Sequence, residues 1–133
     1  MKIPSLNCKI EIFSSINPSE DPSKVKLAIE NIVPNCKIKT DEFSIKGSSN
    51  DLHSLEKILE NIDSMRSQKN YYRTLKKNLN ENSTWFYLNK QAAFADKIAI
   101  CEESDESPLG PIKIVLTSTN IDRIIDWLIR GEE

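Results

Sequence analysis

The apolar residues of this chain change period along its length, from two to about 3.6 and back, and no other feature constrains the fold as much. Leu6, Cys8, Ile10 and Ile12 alternate with Asn7, Lys9 and Glu11, which predicts a strand with one apolar face. Asp21-Pro22 then supplies an N-cap and a proline at the first helical position, where its missing N–H costs nothing. Val25, Ala28, Ile29 and Ile32 follow at helical spacing as far as Pro34. Cys36, Ile38 and Thr40 share one strand parity, and Phe43 and Ile45 sit on the other. A bulge or tight bend near Asp41-Glu42 is expected to return them to one face. The segment 47–51 reads as a loop ending in a capping Asp51.

From Leu52 to Leu79 the pattern is helical. Leu52, Leu55, Leu59, Ile62 and Met65 form a stripe that Tyr72, Leu75 and Leu79 continue. The segment is long for one globular helix, so a break between Arg66 and Asn70 is expected. Trp85 to Leu88 predicts a short aromatic strand, and Ile98-Ile100 and Ile112-Ile114-Leu116 predict two more. An acidic, turn-rich loop over 102–111 separates these two. A last helix carries Ile121, Ile124, Ile125 and Leu128 on one side, with Thr119 or Asn120 as its cap. The order β-α-β-α-β-β-β-α predicts one α+β domain over 1–133, a mixed, mainly antiparallel sheet with helices packed on one face.

A chain of 133 residues can bury a core without metal or disulfides. Its three glycines argue against glycine-rich phosphate loops. The start, Met1-Lys2-Ile3-Pro4-Ser5, has no apolar leader, and no run approaches the length of a membrane span, so a cytoplasmic protein without a membrane partner is expected. Cys8, Cys36 and Cys101 are odd in number and far apart, which suits buried small hydrophobes in a reducing compartment.

Catalytic chemistry finds little support. His53, the one histidine, stands at the start of the long helical segment with no patterned nucleophile. Glu102, Glu103, Asp105 and Glu106 lack the glycine and the terminal glutamate of a calcium loop and read as a solvated turn. No catalytic residue, metal or cofactor is expected. The basic residues are better organised. Between residues 66 and 90 stand Arg66, Lys69, Arg73, Lys76, Lys77 and Lys90 against Glu81 alone, a local +5 in a chain of net charge −2. On one continuous helix the first five would fall in a stripe about 100° wide beside the apolar one. Such a row can track phosphates through counterion release. Lys90 lies in a polar triplet with Asn89 and Gln91, whose amides suit base edges or a turn cap. Tyr71 and Trp85-Phe86-Tyr87 offer rings for stacking. The competing reading is a protein-interaction or homodimerisation module, motivated by the negative balance and by Phe13 and Val115 on two-sided strands.

Three strings are distinctive: Pro18-Ser19-Glu20-Asp21-Pro22-Ser23-Lys24-Val25, Trp85-Phe86-Tyr87-Leu88-Asn89-Lys90-Gln91-Ala92-Ala93-Phe94-Ala95, and Glu106-Ser107-Pro108-Leu109-Gly110-Pro111-Ile112, the last followed by Ile121 to Leu128. Over nearly its whole length the chain resembles the archaeal uncharacterised protein family 0201, which is grouped with predicted RNA-binding, exosome-associated proteins. The resemblance implies a fold like that of the ribosomal protein that binds 5S ribosomal RNA. It also implies RNA as the partner, together with exosome or ribosome-associated proteins. It carries over no catalytic residue. Within the long helix Tyr72-Arg73 stands where that family has Ala-Arg.

Overall fold

The chain runs through β1 (Lys9–Ser15), α1 (Pro22–Ile32), β2 (Lys37–Thr40), β3 (Ser44–Ser49), α2 (Glu56–Ser64), α3 (Gln68–Lys77), β4 (Ser83–Leu88), α4 (Lys90–Phe94), β5 (Ile100–Cys101), β6 (Ile112–Thr117) and α5 (Ile121–Arg130). This computed structural model describes residues 3–131. The strands form one antiparallel sheet in the order β2-β3-β1-β6-β4-β5. Period-two patterning makes that sheet one-sided. Ile10, Ile12, Ile45, Phe86, Leu88, Ile112, Ile114 and Leu116 point to one face and are buried. The helices close over that face with Val25, Ile29, Ile32, Ile58, Leu59, Leu75, Ile124 and Trp127 in a single core. Each such side chain contributes about 1.5–3 kcal/mol on leaving water. The opposite parity adds no side chain to this core. Cys8 belongs to it, and burial pushes its thiol up to about 11.

The expected bulge near Asp41 is a full reversal instead, so one expected strand becomes the hairpin β2–β3. The Asp41 carboxylate accepts the amides of Phe43 and Ser44 at 2.9 and 2.8 Å, which closes the turn. Ile45 returns to the core face, but Phe43 is left at the tip, 69% exposed. The expected loop over 47–49 is the end of β3. Gly47 earns its place there by a close approach, since a Cβ would stand 3.3 Å from both Cys36 Sγ and Ile12 Cδ1.

The long helical segment breaks where expected. Ser67 N–H donates to Ile62 O at 3.1 Å and Arg66 N–H to Asp63 O at 3.2 Å, a Schellman motif with Arg66 at φ +51°. The break resets the helical phase. Tyr71, Thr74 and Leu75 therefore face the core in place of the expected Tyr72, which is 44% exposed, and Met65 is 70% exposed. Tyr71 packs edge-on against Phe86, centroids 5.6 Å apart. Phe13 and Val115 belong to the inner strands β1 and β6, so neither lies on an edge available for pairing with a second chain. Among the described residues no helix is long and apolar enough to cross a membrane.

Candidate nucleic-acid interface

Lys90, expected to meet a phosphate, is the most deeply buried cation in the described structure. It opens α4 behind Asn89, whose Oδ1 accepts the Ala92 N–H at 2.9 Å as an N-cap. Its side chain is 0% exposed. The ammonium donates to Ser15 O at 2.9 Å, Leu109 O at 2.9 Å and Glu20 Oε1 at 3.0 Å. Glu20 Oε1 also accepts the backbone and side-chain N–H groups of Asn17 at 3.0 and 2.8 Å. Burial alone would raise the Glu20 carboxyl, but the Asn17 and Lys90 hydrogen bonds outweigh it and hold the group below its ordinary value.

The turn above this pair is bent to supply a carbonyl. Leu109 at φ +66° and Gly110 at φ +89° direct Leu109 O inward, where Lys90, Asn17 and Ser15 all donate to it. Left-handed backbone at Leu109 costs roughly 1–2 kcal/mol, which these bonds offset. Gln91 ties the same turn down, its Nε2 donating to Pro108 O at 2.7 Å. Neither Lys90 nor the amides of Asn89 and Gln91 are therefore free for RNA. All three are spent on the fold, because an ammonium removed from water must find every partner inside.

The cations of the long segment reach water but do not form one stripe. Arg66, Lys69, Arg73, Lys76 and Lys77 are all exposed. Arg66 sits in the break and drops out of the helical phase. Arg73 is ion-paired to Glu102, and Lys76 turns toward α5 and meets Asp122 at 3.3 Å. Lys77, one turn on from Arg73, lines a hollow beside Trp85. The expected stacking rings divide likewise. Tyr71 and Phe86 are core, whereas Trp85 and Tyr87 are on the outer face of β4. His53 is exposed on the turn before α2, its Nδ1 2.8 Å from the Asp51 carboxylate that caps the turn. In the acidic loop Glu106 Oε1 accepts the amides of Glu102 and Glu103, so this carboxylate closes a 3-10 turn.

The helix-free face of the sheet gathers what the sequence had scattered. Directly paired residues share a face, and the register sets Lys39, Lys46, Phe13, Lys113 and Tyr87 in one row across five strands. The neighbouring row is Lys37, Ser48, Glu11, Val115 and Trp85. Lys9 lies beyond Glu11 on β1. Five lysines thus stand against one carboxylate, an excess of +4 that leaves −6 for the rest of the chain. Glu11 is shared between Lys46 at 3.6 Å and Lys9 at 3.9 Å. Lys46 lies 5.2 Å from the Phe13 centroid and Lys113 4.7 Å from that of Trp85. Trp85 and Tyr87 pack at 4.9 Å.

A family model described as RNA binding matches residues 9–118, a span that holds the whole sheet. The UPF0201 protein of Methanothermobacter thermautotrophicus is 37% identical over 120 residues, covering 90% of this chain and 89% of its own length. The chain belongs to the UPF0201 family. The UPF0201 protein of Sulfurisphaera tokodaii is 36% identical over 124 residues, covering 90% of this chain and 86% of its own. The crystal structure of the UPF0201 protein from Methanococcus jannaschii, 29% identical, has a TM-score of 0.78 and covers 91% of this chain and 92% of that one.

The three strings that carry the UPF0201 resemblance meet around Lys90: Glu20 from the first, Asn89 to Gln91 from the second, Ser107 to Gly110 from the third. They read as fold-making residues. The sheet-face lysines were missed in the sequence, and Phe13 was read there as an interaction residue rather than a ring for RNA. Their signal was present as lysine on the polar parity of several strands, as in Lys37-Ile38-Lys39 and Ile112-Lys113-Ile114. Only the strand register adds them together.

Proposed function

We propose that this UPF0201 protein is a non-catalytic, cytoplasmic RNA-binding module that holds RNA across the open face of its sheet. The observation that carries the proposal is the row Lys39, Lys46, Phe13, Lys113 and Tyr87, in which cations and rings share one surface of an otherwise acidic chain. Each lysine that neutralises a phosphate releases counterions, and each ring offers a face to an unstacked base. The RNA-binding family model over the whole sheet supports the same reading. Arg73 and Lys77 line the hollow beside Trp85 and extend the surface past β4, while Arg66, Lys69 and Lys76, exposed but outside that lining, contribute long-range attraction. Asn89, Lys90 and Gln91 act indirectly by fixing the turn over 107–111.

Fluorescence anisotropy with labelled RNA over a salt series tests this. Neutralising three or four phosphates gives a log–log slope between about −2 and −3.5. Reversing Lys46 and Lys113 together to Glu weakens binding by more than about tenfold and flattens the slope by roughly 2. No binding of any RNA at low salt overturns the proposal.

A further inference from the structure

Two hollows flank Tyr87, and their linings differ. One, about 520 Å³, lies on the sheet among Phe13, Lys46, Lys113 and Tyr87. The other, about 370 Å³, lies between α3 and the outer edge of β4, among Arg73, Lys77, Trp85, Tyr87, Glu102 and Glu103. Strand length explains the second. β5 pairs only with Tyr87 and Leu88, so the edge of β4 at Trp85 has no strand beside it. The end of α3 takes that place, with Asn78 Nδ2 donating to Trp85 O at 2.9 Å and Thr84 Oγ1 to Leu75 O at 2.6 Å. A helix is thicker than a strand and cannot lie flush with the sheet, so a recess remains over the indole.

We infer that the RNA bound here is single-stranded, with one unpaired base seated in the recess against Trp85 while its backbone runs over the lysines of the sheet. The inference rests on the RNA-binding reading above and specifies its ligand. The charge balance assigns the parts. The sheet hollow sets Lys46 and Lys113 against one carboxylate, Asp41, which already accepts the amides of its own turn, so a cationic excess remains there for phosphates. The recess sets two cations against two carboxylates, an unfavourable place for continuous backbone but a good one for a base. Its amino groups can donate to Glu103, and its π-face can lie on the indole. Lys77 has no carboxylate partner among the described residues, and Arg73 exchanges Glu102 for the phosphate beside the seated base. A recess of this volume is at the small end of ligand pockets, roughly 300–1,000 Å³. A duplex keeps its base faces stacked inside and cannot fill it.

Trp85 and Trp127 are the two tryptophans, and Trp127 is 0% exposed, so quenching of tryptophan emission reports Trp85. The full chain is titrated with a short mixed-sequence single strand and with the blunt duplex of the same sequence, reading anisotropy and emission together. The single strand is expected to bind at least tenfold more tightly and to quench. Trp85→Leu is expected to lose at least about fivefold of single-strand affinity, the low end for a stacked base, with duplex affinity unchanged. Trp85→Phe restores most of the loss. Trp85 is on the open face, so a thermal melt confirms that both variants fold. Duplex binding as tight as single-strand binding, absence of quenching, or full affinity in Trp85→Leu overturns the inference. If the Lys46 and Lys113 reversals still weaken RNA in that case, the sheet-face reading stands. Failure of both RNA forms to bind removes that reading as well.

Discussion

Lys90 and Lys113 are the same residue in opposite circumstances. Lys90 is sealed among Glu20 and two backbone carbonyls with no exposed atom, and Lys113 stands on an open sheet with its ammonium over Trp85. In the sequence Lys90 is the more prominent, because it lies in a distinctive string beside two amides. The difference teaches that a memorable motif and a binding surface need not coincide. A buried ammonium needs specific partners at specific positions, and those partners write a recognisable string. A solvated lysine needs only to be on the right face, and its neighbours in sequence are free to vary.

The comparison is broken most readily at Lys90. Lys90→Met leaves the Glu20 carboxylate buried without its cation and removes a donor from Leu109 O and Ser15 O. Losing one partner of a buried pair costs about 3–5 kcal/mol. A urea midpoint that barely moves would contradict a structural role, and a folded fraction with unchanged RNA affinity would separate the two regions cleanly.

Acid is a gentler probe of the same pair. The Glu20 carboxyl is held below its ordinary value of 4.5. Its contribution is therefore complete above about pH 4.5 and is lost as pH falls through the depressed value, when protonation leaves Lys90 buried alone. Melting temperatures across that range should fall for the native chain. Glu20→Gln should start lower near neutrality and change less, and parallel curves would exclude the linkage.

The smallest effect is expected at Arg66, which belongs to neither region. It is exposed, at φ +51°, in a position that glycine prefers. Arg66→Gly should raise stability by up to about 1 kcal/mol and change RNA affinity by less than about threefold. A larger loss of affinity would enlist Arg66 in the interface and restore the wider basic row.

Much of the fold was legible. The Asp21 cap, the Pro22 start, the core parity of Ile10 and Ile12 and the break near Arg66 are local, set by residues within a few positions of one another. The candidate site was less so. Tyr71 and Tyr72 exchanged roles because a one-turn break resets the helical phase, which periodicity across the break hides. Lys90 was misjudged because Ser15, Glu20 and Leu109 are remote in sequence and nothing local marks them as its partners.

By itself the sequence determined most of the strands and helices and most of their inward faces, the β2–β3 hairpin, α4 and the phase of α3 excepted, since periodicity and caps act through neighbouring residues. The tertiary structure alone decided which charges work together. Antiparallel register brings Lys39, Lys46, Phe13, Lys113 and Tyr87 from five strands into one line, and the same folding takes Lys90 out of water. Electrostatics depends on distance and solvation, and both are properties of the folded chain.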